Sequence, residues 1–172
     1  SSCILFGDGA GAAVVRAEEG ELYPSVAGSD GTMGHVLACE SRVQNDWQQK
    51  EADRKTYIDM DGTAVFKFAV RKMPEMAKSL MTQMHCTEAD IDWFITHQAN
   101  ERIIEAIARR LKSDIAKFPM NIAECGNTSS ASIPILLDEM NRSGQLKDGQ
   151  KIIMAGFGAG LSWGAVYMEW HA

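Results

Sequence analysis

Short apolar runs alternate with longer amphipathic stretches along most of this chain. Trp93–Ile95 and Lys151–Ala155 have the length of strands, and in Asn100–Leu111 the apolar side chains recur at the spacing of one helix face. Similar runs predict further strands at Cys3–Phe6, Ala12–Arg16, Glu21–Ala27, Phe118–Ile122 and Ala165–Trp170. This alternation predicts an α/β fold with a mixed, mostly parallel sheet and helices on its faces.

A second helix is predicted after Gly62, because apolar residues recur at helical spacing from Val65 to Met84. Pro74 lies inside this stripe. Since proline lacks a backbone N–H and crowds the preceding turn, we expect the helix to kink there or to be two helices. A third helix is predicted after Thr128 and the two serines that follow it, because these residue types are favourable N-caps.

The segments between these elements also carry information. Ser29–Asp61 is polar and aperiodic, which predicts a long exposed loop with some helical turn and sensitivity to proteases. The GFGAG turn at Gly156–Gly160 separates two predicted strands, so a hairpin is expected there. Gly7–Gly11 lacks the GxGxxG spacing of a nucleotide loop and opens no helix, so a bend between two strands is the simpler interpretation.

His97 lies in the turn between the strand Trp93–Ile95 and the helix Asn100–Leu111. Ligands and catalytic groups collect at the carboxyl ends of strands in an open α/β sheet, so this histidine is a candidate for chemistry. The alternative is that His97 is a capping or packing residue of the turn.

Composition limits the class of protein. A chain of 172 residues with 45% hydrophobic residues suits one compact domain, and a net charge of -6 argues against a general nucleic-acid binder. No apolar run approaches the roughly 20 residues that span a bilayer, so we expect no membrane segment and a cytoplasmic location. The four scattered cysteines suit reduced thiols, and their spacing to the histidines fits no compact zinc module.

Five segments, in order, carry a resemblance to a known family: FGDGAGAAV, MDGTAVFKFAV, HQAN, GNTSSAS and GFGAGLSWG. Together they resemble the C-terminal half of the β-ketoacyl-acyl carrier protein synthase III family, along essentially the whole chain, 1–172. The resemblance implies a thiolase-like fold, built from two similar halves as five layers, αβαβα. It places the active site between the halves, and the complete enzyme is expected to be a homodimer.

The resemblance implies that His97 and Asn127 are catalytic and that the nucleophilic cysteine belongs to the absent N-terminal half. Decarboxylation of a malonyl thioester builds negative charge on the thioester oxygen. Two neutral donors, an imidazole Nε2–H and an amide NH2, stabilise that charge without supplying a proton that would quench the carbanion. The alternative is that both are turn residues that satisfy local backbone groups.

Further residues take roles by the same resemblance. The GFGAG turn, with Gly158 and Ala159, would contribute a backbone oxyanion hole, and Phe157 would lie beside the reacting thioester or pack in the hairpin core. Many family members have glycine at the position of Ala159, so alanine matters only if that position needs positive φ. Asn100 and Gly62 would contact the pantetheine arm, although Asn100 could equally cap a helix.

A group of basic residues matches the family's docking patch for the acidic acyl carrier protein: Lys67, Arg102, Arg109 and Arg110. Arg102 and Arg109 are seven residues apart on one predicted helix and share a face. The alternative is an ordinary solvated face. A local basic patch on an acidic protein would steer an acidic partner and make binding salt-sensitive.

The implied activity is the condensation of an acyl-CoA primer, acetyl-CoA being the expected one, with malonyl-acyl carrier protein. The substrates are CoA and carrier thioesters, and no cofactor or metal is expected. None of the cysteines fits the nucleophile, and we expect Cys125 to be a wall residue of the site. The alternatives are a related condensing enzyme of polyketide or alkyl-quinolone type, and a non-catalytic thiolase-like subunit.

Overall fold

The computed structural model describes residues 4–15, 19–39 and 57–171. Six strands form there: β1 (Ser25–Ser29), β2 (Leu37–Cys39), β3 (Ile58–Met60), β4 (Trp93–Thr96), β5 (Lys151–Gly158) and β6 (Ser162–Glu169). The α-helices are α1 (Gly62–Gln83), α2 (Glu101–Leu111), α3 (Ile122–Cys125) and α4 (Ser132–Arg142). A central sheet has the order β1-β6-β5-β4, and β2 pairs with β3 in a separate small sheet.

The central sheet is mixed, as predicted, but the expectation that it is mostly parallel is wrong for the described strands. Only β4 and β5 pair in parallel, whereas β5–β6 and β1–β6 are antiparallel. A parallel pair needs a long crossover, and α2 to α4 supply it between β4 and β5. The short turn after β5 reverses the chain, so the predicted hairpin is confirmed and β6 can only be antiparallel.

Helices cover both faces of the central sheet. On one face α1 and α2 pack against side chains that include Phe94 and Ile153. On the other face α4 packs against side chains that include Ile95 and Ile152. Neighbouring residues of β4 and β5 therefore point to opposite faces, as the period of two requires. This three-layer αβα arrangement agrees with the predicted fold class.

Helix α1 is one continuous helix, so the expectation of two helices around Pro74 is wrong. Asp61 caps its first turn by accepting hydrogen bonds from the N–H groups of Thr63 and Ala64, both at 3.0 Å. Pro74 is buried within the helix. The carbonyl of Val70, whose helical partner Pro74 cannot supply, accepts a hydrogen bond from Arg110 of α2 at 3.1 Å.

Three predicted strands are not formed in the described residues. Within the described part of Cys3–Phe6, Phe6 alone forms a β-bridge, an isolated parallel one to Asn127. The described part of Ala12–Arg16 has no regular structure and leaves Val14 fully exposed. A strand needs a hydrogen-bonding neighbour, and the described residues provide none there.

The predicted strand Phe118–Ile122 is replaced by irregular backbone between a 3₁₀ turn and α3. Two contacts with residues distant in the sequence explain this. Phe118 stacks on Phe94 with ring centroids 4.8 Å apart, and the Asn121 N–H donates to the side chain of Gln98 at 3.3 Å. The buried side chain of Gln98 thus accepts the backbone hydrogen bond that a neighbouring strand would otherwise accept.

The described ends of Ser29–Asp61 hold the 3₁₀ helix Gly31–Val36, which matches the expected helical turn, and the pair β2–β3. The middle of this predicted loop lies outside the described residues. Helix α4 follows a 3₁₀ turn at Ser129–Ala131, and neither element has a side-chain N-cap bond. The prediction that Thr128 or its neighbours cap this helix is therefore wrong.

Candidate active site

A cavity of about 830 Å³ opens at the carboxyl ends of β4 and β5, and both His97 and Asn127 line it. Six other residues predicted for the site also line it: Gly62, Asn100, Arg102, Phe157, Gly158 and Ala159. Three predicted residues do not line this cavity: Lys67, Arg109 and Arg110. The structure therefore brings together the residues predicted for chemistry and pantetheine contact, and separates them from most of the basic patch.

His97 is held at the end of β4 by its own backbone and by its neighbour. The His97 N–H donates to the Ala155 carbonyl at 2.9 Å, which extends the β4–β5 pairing by one residue. Gln98 is fully buried, and its Nε2 donates to the Thr96 carbonyl at 2.9 Å and the Pro119 carbonyl at 3.4 Å. Because the buried side chain of Gln98 holds the backbone of this turn, the imidazole of the neighbouring His97 is held in place against the cavity.

The imidazole of His97 has two neighbours in this structure. Its Nδ1 lies 2.7 Å from Ser132 Oγ, and its ring meets that of Phe157 edge-on, with centroids 5.5 Å apart. Burial lowers the pKa of His97 from its ordinary value to about 4. The ring is therefore neutral near pH 7, which is the state that an electrophilic hydrogen-bond donor requires.

Asn127 is positioned by the N-terminal segment and by its own turn. Its N–H donates to the Leu5 carbonyl at 2.8 Å, and its carbonyl accepts from the Gly7 N–H at 3.0 Å. The side-chain Oδ1 accepts from the Ser129 N–H at 2.9 Å. Since Oδ1 faces that donor, Nδ2 is the atom left to donate into the cavity.

The GFGAG turn contributes Phe157, Gly158 and Ala159 to the cavity wall. Phe157 packs against Phe68 of α1 as well as against His97, so its place in the hairpin core is confirmed, and its position beside the reacting thioester stays a prediction. Ala159 is not among the non-glycine residues with positive φ, so alanine fits there without backbone strain.

Asn100 is the N-cap of α2, where its Oδ1 accepts from the Arg102 N–H at 2.9 Å. It lines the cavity as well, so the capping role is confirmed and the pantetheine contact stays a prediction. Gly62 is the first residue of α1 and also reaches the cavity wall.

The basic residues fall into separate places. Arg102 is exposed and lines the cavity, while Lys67 and Arg110 line a second groove of about 470 Å³ between α1 and α2. Arg71, which the sequence did not single out, lines the same groove. Arg109 is exposed and pairs with Glu105 at 3.5 Å. The predicted patch is thus divided between the cavity, the groove and an exposed ion pair, and Arg110 also donates to the Val70 carbonyl.

Cys86 and Cys125 are not activated thiols. Burial, and then Glu139, raise the pKa of Cys125, while burial and then Asp90 raise that of Cys86. Cys125 does not line the cavity, so its expected place in the wall is wrong; it lies 3.9 Å from Glu139 instead. Cys39 does line the cavity but is exposed, and Cys3 lies outside the described residues.

Two residues that matter for the geometry were missed as individual candidates, although both lie inside the quoted motifs. Gln98 is the second residue of HQAN, and Ser132 is the last residue of GNTSSAS. Both are buried and polar, and a sequence pattern alone does not show that a polar residue is buried. Within the described residues, no group of three or more potential ligands could hold a metal ion, and no helix is long and apolar enough to cross a membrane.

The fold and the cavity define one half of a thiolase-like protein. Over 93% of this chain, the structure matches 47% of the crystallised 3-oxoacyl-(acyl carrier protein) synthase III from Pseudomonas aeruginosa PAO1, with a TM-score of 0.79 and 36% identity. It also matches the priming β-ketosynthase of the R1128 polyketide pathway, over 86% of this chain and 44% of that one, with a TM-score of 0.75 and 34% identity.

The sequence comparison agrees with the fold. Residues 81–170 match the family described as the C-terminal region of 3-oxoacyl-[acyl-carrier-protein (ACP)] synthase III, so the chain belongs to that family. It is 45% identical to the β-ketoacyl-[acyl-carrier-protein] synthase III of Clostridium novyi (strain NT), over 99% of this chain and 53% of the relative. The chain therefore spans about half the length of the curated relatives that it matches.

Proposed function

We propose that this chain is the C-terminal half of a β-ketoacyl-acyl carrier protein synthase III, which starts fatty-acid synthesis by a decarboxylative condensation. The observation that carries the proposal is that a neutral imidazole and a primary amide, on two different turns, line one cavity. Neither group has to gain or lose a proton in order to donate a hydrogen bond. Because burial lowers the pKa of His97 to about 4, the imidazole is a weak general base, so the combination suits a developing enolate better than it suits base-catalysed hydrolysis.

In the proposed reaction, the bond between the malonyl carboxylate carbon and the α-carbon breaks, and carbon dioxide leaves. The electron pair moves onto the thioester as an enolate, whose oxygen is stabilised by His97 Nε2–H and Asn127 Nδ2–H. One such donor is worth about 3 kcal/mol in the transition state. The carbanion then attacks an acyl group held on a cysteine of the other half, where the N–H of Ala159 would help to stabilise the tetrahedral oxyanion. When this intermediate collapses, the acyl C–S bond breaks and the cysteine leaves as a thiolate.

The acyl group would come from an acyl-CoA, with release of CoA, and the malonyl group from acyl carrier protein. The exposed cations support carrier docking: Arg102 lies at the cavity itself, and Lys67, Arg71 and Arg110 line the adjoining groove. An acidic carrier placed there would aim its pantetheine arm past Gly62 and Asn100 toward His97. A cysteine-bearing N-terminal half, a homodimeric complete enzyme and a cytoplasmic location are parts of the same proposal.

The test is to join or add a cysteine-bearing half and to measure malonyl-thioester decarboxylation. We expect His97→Ala and Asn127→Ala each to lower kcat by about 100-fold or more, which is the usual effect of removing an oxyanion donor. Asn141→Ala, an exposed amide on the far end of α4, serves as the matched control and should leave kcat within twofold. Near-normal rates in both site variants would contradict the assignment.

A second candidate function, condensation in a polyketide pathway, is favoured by one observation, the similarity to the R1128 priming β-ketosynthase. The His97 and Asn127 chemistry would be the same. Primer and carrier specificity distinguish the two functions, so the assay is repeated with fatty-acid and polyketide carriers. A non-catalytic role, the remaining alternative, predicts no decarboxylation even when a cysteine-bearing half is present.

A further inference from the structure

The hydroxyl of Ser132 makes a contact that the proposed reaction does not by itself account for. Ser132 is the first residue of α4 and is 2% exposed, and its Oγ lies 2.7 Å from His97 Nδ1. The same oxygen accepts a hydrogen bond from the backbone N–H of Gln98, at 3.3 Å. One buried hydroxyl therefore contacts two consecutive residues of the HQAN turn.

The proton positions follow from counting donors and acceptors. The Gln98 N–H occupies one lone pair of Ser132 Oγ, and the structure records no acceptor for the Ser132 proton, among the described residues, other than His97 Nδ1. If Nδ1 carried the imidazole proton, the serine proton would be buried without a partner, which proteins avoid. The arrangement that satisfies all three groups has Ser132 donating to Nδ1, and Nδ1 unprotonated.

We propose that Ser132 is a positioning residue that holds His97 in its Nε2–H tautomer and aims that N–H into the cavity. The inference rests on the proposed function, because it explains how His97 would present the N–H donor that the proposed reaction requires. The first residue of α4 contacts the histidine, and Asn127 lies five residues earlier on the same connection. One segment thus supplies one donor and orients the other.

The substitution Ser132→Ala tests this inference in the complete enzyme, with a cysteine-bearing half present. Ser143→Ala is the matched control, because it also removes one hydroxyl, here from the C-cap of α4. The Ser143 hydroxyl donates to the Met140 carbonyl and accepts from the Gln145 side chain, both at 3.1 Å, so these bonds lie outside the site. Two quantities are measured: the ¹⁵N shifts of the His97 imidazole in histidine-labelled protein, and kcat and KM for malonyl decarboxylation.

We expect Ser132→Ala to shift the Nδ1 resonance toward a mixture of tautomers and to lower kcat about tenfold, as loss of an orienting partner typically does, with KM within twofold. Ser143→Ala should change neither quantity, and Ser132→Thr, which keeps a hydroxyl, should restore the wild-type ¹⁵N pattern. If Ser132→Thr does not fold, the comparison of Ser132→Ala with Ser143→Ala still tests whether Ser132 sets the tautomer of His97.

An unchanged Nε2–H signature in Ser132→Ala would overturn the inference, and so would unchanged kcat. The two proposals fail separately. If the wild-type enzyme decarboxylates no malonyl thioester, the proposed function is wrong, while the ¹⁵N shifts still show whether Ser132 sets the tautomer.

Discussion

Arg110 of α2 donates a hydrogen bond from Nη1 to the carbonyl of Val70 in α1, at 3.1 Å. Val70 is the residue whose carbonyl a helix would pair with the N–H of residue 74, and proline has no N–H. The side chain of Arg110 in α2 thus supplies to α1 the hydrogen bond that Pro74, without an N–H, cannot donate. This contact allows α1 to run without a break, and it fixes one cation at the edge of the groove that Lys67 also lines.

The first prediction is that the value of Arg110 to stability depends on Pro74. Arg110→Met keeps an unbranched apolar stem but removes the donors, so the free energy of unfolding should fall by about 1 kcal/mol. In a Pro74→Ala background the helix can pair the Val70 carbonyl itself, and the same substitution should cost almost nothing. Denaturant unfolding of the four proteins in this cycle measures the coupling.

Arg109→Met is the control for the loss of a cation, since Arg109 makes only an exposed pair with Glu105. It should change stability by less than about 0.5 kcal/mol. An equal cost of Arg110→Met with and without Pro74 would show that the Val70 contact does not support the helix.

The strands and helices that could be predicted from the sequence are those that the chain supports locally. Helix α2 has apolar residues on one face and Asn100 at its start, and β4 and β5 are apolar because both of their faces are covered. Phe118–Ile122 has similar apolar content, but its backbone is bonded by the side chain of Gln98. A contact between residues 23 positions apart leaves no local pattern, so this error could not be avoided.

The same distinction between local patterns and distant contacts applies to the candidate site. His97 was predicted from its position at a strand end, and Asn127 only from the resemblance of its motif. What brings them to one cavity is the pairing of Asn127 with Leu5 and Gly7, and the contact of His97 with Ser132. Such contacts between distant segments cannot be derived from periodicity. Likewise, the antiparallel pairing of β1 with β6 joins segments that are far apart in the sequence, so local patterns could not predict it.

The second prediction concerns the protonation of His97. Burial lowers its pKa to about 4, whereas the unfolded chain has the ordinary value of 6.5. Between these two values the unfolded state binds more protons, so stability should decrease as the pH falls from 6.5 toward 4 and change little through this group above 6.5. NMR titration of the imidazole Cε1–H, assigned with His97→Gln, measures the pKa. A midpoint near 6.5 would contradict this prediction.

The third prediction is that Gln98 is worth more to stability than a surface polar residue. Gln98→Met has a similar volume but removes both the amide donor and the acceptor, which leaves the Asn121 N–H and the Thr96 carbonyl without their partner. We expect a loss of about 3 kcal/mol in the free energy of unfolding, because these groups are buried. Gln145→Met, in the exposed turn that follows α4, should cost less than about 0.5 kcal/mol. Similar losses in the two variants would refute the bracing role of Gln98.

The last prediction is that Gly7 positions Asn127. A Cβ at Gly7 would lie 2.0 Å from the carbonyl oxygen of Cys125, which is backbone and cannot rotate away. Gly7→Ala must therefore displace the turn that carries Asn127, and we expect decarboxylation by the complete enzyme to fall at least tenfold. Gly20→Ala is the control, because a Cβ there meets nothing within 4 Å, and it should keep its activity. Full activity in Gly7→Ala would show that Asn127 is held by contacts other than those with the N-terminal segment.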